Sequence, residues 1–149
     1  MNTIRTRRGL RWCGAFGSAL VLATVCARGG IVSPLYVGNL TPVQDQYGRT
    51  LAGSLQASGA ATRSLVEIRT AEDGIIRPPC TNGAAHYKNP LLTPESVGGM
   101  GMNSLAADSG LFSMVFAERP APGTKIFARA YNAPTAAEAT FYADSQLVT

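Results

Sequence analysis

Along residues 28–149 the hydrophobic positions fall in short runs of β-branched and aromatic side chains, separated by Gly, Pro, Asn and Asp. Strands bounded by turn residues read this way. No window there sustains the i, i+3, i+4, i+7 recurrence that a proper helix needs. The clearest strand is 63–70. Ser64, Val66, Ile68 and Thr70 share one of its faces and Arg63, Glu67 and Arg69 the other, which predicts one buried and one wet face. Residues 31–43 predict a first strand, ended at Asp45-Gln46-Tyr47-Gly48, where Asp bonds back to the turn backbone and Gly supplies positive φ. Residues 49–57 return as a second strand, and 102–106 predict another. Residues 111–117 are apolar on both faces and predict a central strand. After Arg119-Pro120-Ala121-Pro122-Gly123, residues 125–131 follow as its expected hairpin partner. Thr135 and Glu138 fit a capping box and predict one or two helical turns near 134–139, before a last strand over 140–148. Seven or eight short strands in one domain predict an all-β antiparallel β-sandwich, with a small open barrel as the alternative.

Residues 74–101 break the rhythm, with nine Gly or Pro in 28 positions. Proline cannot donate to a strand ladder, so this stretch predicts a long loop, pinned to the body by Leu91 and Leu92. Loops of this length are more often functional than ordinary connections are.

Charge changes the picture at the N-terminus. The whole chain has 149 residues, 13 basic and 9 acidic. Four of the basic residues (Arg5, Arg7, Arg8, Arg11) lie in residues 1–27, which hold no acid, leaving nine against nine in residues 28–149. A formally neutral domain gives no electrostatic reason to expect a nucleic-acid partner. Residues 1–27 have the basic start, apolar stretch and small-residue end of a secretory signal, with Val25 and Ala27 before the expected cut. The apolar run is about 15 residues, short of the roughly 20 needed to span a membrane, so no stable span is expected after cleavage. Thr6-Arg7-Arg8-Gly9-Leu10 resembles a twin-arginine signal, but Arg11 departs from that pattern, and the general secretory route fits better. Val25 is too bulky for a lipoprotein cut before Cys26. The expected location is secreted or periplasmic.

Cleavage leaves one cysteine, Cys80, and hence neither an internal disulfide nor a cysteine zinc site. Cys80 and the single histidine, His86, are the sharpest catalytic pair available, since an imidazole can take a thiol proton. Six residues of separation is weak support for such a pair, and no catalytic residue is assigned. One histidine and scattered acids predict no metal site and no cofactor; Asp45, Asp108 and Asp144 lie in no ligand run. Gly98-Gly99-Met100-Gly101 lacks the Lys-Ser or Lys-Thr of a phosphate cradle and predicts a flexible loop or a close backbone approach. The remaining candidates are His86, Tyr87, Lys88 and Asn89, a polar-aromatic cluster suited to a sugar or a protein surface.

The stretch KIFARAYNAPTAAEATFYADS, residues 125–145, together with the Asp45-Gln46-Tyr47-Gly48 turn, resembles small exported β-rich proteins of unknown function from Verrucomicrobia-like bacteria. It covers about half of residues 28–149 and implies an exported β-rich domain, with no catalytic residue to carry over. The strand spacing is more loosely similar to immunoglobulin-like and transthyretin-like modules, a likeness of fold alone. The expected function is a non-enzymatic exported module that binds a polysaccharide or a surface protein through the 74–101 loop. A small Cys/His hydrolase and a structural component of an envelope assembly are the alternatives.

Overall fold

The computed structural model describes residues 34–53, 63–101, 110–117 and 119–149. The expected signal at 1–27, the strand at 102–106, residues 54–57 and Asp108 lie outside the described residues. Within them the protein is all-β, with six strands where seven or eight were expected. These are β1 (Leu35–Gly38), β2 (Leu65–Thr70), β3 (Val97–Gly99), β4 (Ser113–Phe116), β5 (Ile126–Tyr131) and β6 (Tyr142–Asp144). They form two antiparallel sheets, a two-stranded one of β1 and β4 and a four-stranded one in the order β3-β2-β5-β6. No helix among the described residues is long and apolar enough to cross a membrane.

Alternation places one face of β1, β2, β4 and β5 in a shared core. In the four-stranded sheet Val66 pairs with Ala130, Ile68 with Ala128 and Thr70 with Ile126, so these residues share a face. Their hydrophobic members join Leu35 and Val37 of β1 and Met114 and Phe116 of β4 in one buried cluster, against which Leu92 and Val148 pack. Burying each such side chain stabilises the fold by about 1.5–3 kcal/mol before the entropy of ordering it.

Two expectations about strand placement are corrected. Residues 113–116 are not central: Val115 is 51% exposed, opposite Tyr36 on the outer face of the two-stranded sheet. Nor do they pair with the strand that follows them. β5 carries Ile126, Ala128 and Ala130 on its core face and Phe127, Arg129 and Tyr131 on the other, all buried, and it sits between β2 and β6. The segment with Pro120 and Pro122 therefore carries the chain from one sheet to the other, through a turn closed by Thr124 N–H on the Ala121 carbonyl.

Local turn chemistry follows the sequence more closely. Asp45 Oδ1 accepts from the N–H of Tyr47 and of Arg49, and Gly48 has φ +77. Gln44 bridges Thr50 across this turn, an isolated bridge where a returning strand was expected. Glu138 N–H donates to Thr135 Oγ1 at 3.3 Å as the capping box requires, but the Glu138 carboxylate accepts from the Thr135 hydroxyl at 2.8 Å rather than from its backbone N–H. They close a single turn and no helix, because Asn132 captures the N–H of Thr140 and Phe141 and draws the chain back towards β6.

The 74–101 stretch is ordered structure for much of its length. Residues 97–99 form β3, an edge strand on β2, so the Gly-rich run is a close backbone approach and no flexible loop. Before it, the N–H of Ile68 bonds Ser96, that of Thr70 bonds Pro90, and that of Leu92 bonds Ile68, which lays residues 90–96 along β2. The tip at 80–84 docks on residues 136–137: a Cβ on Gly83, whose φ is +83, would lie 2.6 Å from the Ala136 carbonyl oxygen.

Gly83 and Gly48 separate backbone conformation from packing. Both have positive φ, but a Cβ on Gly48 would meet nothing within 4 Å. Gly48→Ala is expected to cost about 1 kcal/mol, and Gly83→Ala at least about 1 kcal/mol more, in urea unfolding. Equal costs would mean that the 80–84 tip does not dock.

Candidate functional site

The candidate site stands on the second face of the four-stranded sheet. Glu67, Arg69, Phe127, Arg129 and Tyr131 lie there, and all are buried, which corrects the expected wet face. The covering layer is the long loop. Burying two guanidinium groups requires acceptors with good geometry, because an unpaired buried charge costs several kcal/mol. Arg129 Nε and Nη2 donate to the two oxygens of Asp144 at 2.6 and 2.8 Å, and Nη2 also donates to the Arg77 carbonyl at 2.7 Å. Its guanidinium stacks over the rings of Phe127 and Tyr142, at 5.3 and 4.8 Å from their centroids. Burial opposes the Arg129 charge, but Asp144 more than offsets that and holds its pKa above the ordinary range. Arg69 donates from Nε and Nη2 to Glu67 Oε2 and from Nη1 to the Asn89 carbonyl, and Tyr131 donates its hydroxyl to the same Glu67 oxygen.

Asn89, expected as a binding residue, is fully buried between the two clusters, which leaves its side chain no surface to offer a ligand. Its Oδ1 accepts from the N–H of Arg77, and its Nδ2 lies within 3.1 Å of the carbonyls of Thr70, Ile75 and Lys88. It anchors the loop by its side chain.

The other three expected residues stand on the turn that Asn89 ends. Asn89 N–H bonds the His86 carbonyl at 2.8 Å, closing residues 86–89 as a four-residue turn with Tyr87 and Lys88 at its corners. His86 Nδ1 accepts from Lys88 N–H at 3.2 Å. The His86 and Tyr87 rings stack at 4.8 Å with 25° between their planes, and Tyr87 is 80% exposed. Beside them lies a shallow cleft of about 280 Å3, lined by Glu72, Asp73, Tyr87, Lys88 and Pro90. Glu72 and Asp73 belong to this wall because the turn after β2 and the 86–89 turn are both tied to Asn89. Hydrogen bonds from Arg77 hold the Asp73 carboxyl down at about 2, so it is ionised at neutral pH.

Cys80 is exposed, and its Sγ lies 3.8 Å from the Ala85 carbonyl. His86 and Cys80 have separate hydrogen-bond partners, and the structure joins them in no dyad. Asp45 and Asp144 are engaged by Arg49 and Arg129, and no group of three potential metal ligands occurs among the described residues. The arrangement offers an aromatic face with polar groups beside it, which is binding chemistry. No family model, curated protein or solved structure matches the chain.

Burial, then the Glu67 carboxylate, push the Tyr131 phenol up from 10.0 to about 12. The folded protein therefore holds this proton more tightly than the unfolded chain, and stability present below pH 10 is lost as pH rises towards 12. Urea unfolding from pH 9 to 11 should show this decline, and Tyr131→Phe should flatten it. The same slope in the Phe variant would place the titration elsewhere.

Proposed function

We propose that residues 28–149 are an exported, non-catalytic β-sandwich module whose 86–89 turn binds a macromolecular partner, a polysaccharide or a surface protein. Export rests on the signal pattern of residues 1–27, and the sandwich on the single core cluster shared by both sheets. The observation that carries the binding reading is the exposed Tyr87 ring, backed by His86 and held out from a fully buried anchor at Asn89. A ring fixed in this way loses little entropy when a ligand stacks on it, and stacking on an aromatic is worth about 0.5–1.5 kcal/mol beyond the area it buries. Tyr47, also strongly exposed, is already faced by the Arg49 guanidinium at 5.1 Å.

Shortening the loop would be a poor test, because it removes Asn89 and the residues that pair with β2. Tyr87→Ala touches only the surface and should leave urea stability within about 0.5 kcal/mol of the parent. Screened on arrays of glycans and envelope proteins, the purified full chain should retain a partner that Tyr87→Ala binds about tenfold more weakly. Undiminished binding by the variant would remove Tyr87 from the site.

A further inference from the structure

We infer that the cleft beside Tyr87 accepts one ring of an uncharged polysaccharide, an inference that rests on the binding reading above and chooses between its two partner classes. The lining carries Glu72 and Asp73 against Lys88, and Arg77, which is not part of the lining, pairs with Asp73, so the charges at the cleft balance. They are not equally engaged. Asp73 accepts two hydrogen bonds from Arg77, at 3.0 and 2.7 Å, and one from the N–H of Ile75 at 3.1 Å. Lys88 Nζ stands 3.8 Å from Asp73 Oδ2, beyond hydrogen-bond length. Among the described residues the Glu72 carboxylate makes no hydrogen bond or ion pair. The cleft thus presents one group that only accepts, Glu72, and one that only donates, Lys88, beside an aromatic face.

A polyanion drawn to Lys88 would meet two carboxylates, and a polycation drawn to Glu72 would meet Lys88; like-charge approach opposes both. A sugar hydroxyl donates and accepts. Neighbouring hydroxyls of one ring can therefore give a proton to Glu72 and take one from Lys88, while the ring's C–H face lies on Tyr87. At about 280 Å3 the cleft is at the small end of ligand sites, which suits a single ring of a chain that continues into solvent. A protein segment would need more contact area than this wall provides.

The test titrates the full chain with soluble uncharged glucans, mannans and galactans, a polyuronate and a polyglucosamine, at about 50 and 500 mM salt. The expected result is binding to an uncharged polymer, changed less than about twofold by salt. Glu72→Ala and Lys88→Met should each weaken it about tenfold at unchanged thermal stability, since each removes a bond to the ligand. Preference for the polyuronate or the polyglucosamine, collapsing at high salt and still lost in Tyr87→Ala, would overturn the uncharged ligand and keep the Tyr87 site. An envelope protein bound through Tyr87, with no uncharged polymer retained, would do the same. Binding to an uncharged polymer that is insensitive to Tyr87→Ala would overturn both.

Discussion

Arg129 has no exposure to water, and that single placement obliges the rest of the sheet's second face to be polar and paired. A circuit of hydrogen bonds runs from Asp144 on β6 through Arg129 on β5 to the carbonyl of Arg77 in the loop. The N–H of Arg77 goes to the Asn89 side chain, the Asn89 carbonyl accepts from Arg69 on β2, and Arg69 shares Glu67 with Tyr131 back on β5. Each buried guanidinium is thereby joined to an opposite charge and to the loop that covers it. Removing one partner from such a pair typically costs about 3–5 kcal/mol, because the other is left buried alone. Arg129 Nη1 has no acceptor among the described residues, and the flanking ring faces of Phe127 and Tyr142 give it an electrostatic substitute.

The circuit explains why a Gly- and Pro-rich segment can hold a fixed surface. Proline and glycine give residues 74–96 little ladder of their own, so their backbone groups bond within local turns and to β2, Asn89 and the two arginines. Tyr87 and Lys88 occupy the corners of the 86–89 turn and are exposed beside the buried Asn89.

Part of this was legible in the chain. The Val66 and Ile68 face, the Asp45 turn and the pinning role of Leu92 follow from local periodicity and turn chemistry, which depend on residues a few places apart. The wet face assigned to Glu67 and Arg69 failed because alternation reports polarity, whereas burial depends on partners 20 and 64 residues away at Asn89 and Tyr131. The expected 111–117 with 125–131 hairpin failed for a related reason: adjacency in sequence lost to the need of β5 for cover on both faces. β3 was hidden by Gly98 and Gly99, which carry no strand signal. Of the four candidate site residues, the exposed character of Tyr87 and Lys88 could be read from a polar loop. Asn89 has the same composition signal and the opposite role, and only its three-dimensional partners distinguish them.

Amide hydrogen exchange of the native protein measures the central claim, that the 74–96 segment is held by the buried circuit. The amides of Arg77, Cys80, Gly83, Asn89 and Leu92 each have a fixed acceptor, so they should exchange orders of magnitude more slowly than unstructured peptide and lose protection together in Arg129→Met. Exchange of these amides at peptide rates in the parent protein, while β2 and β5 remain protected, would contradict the account.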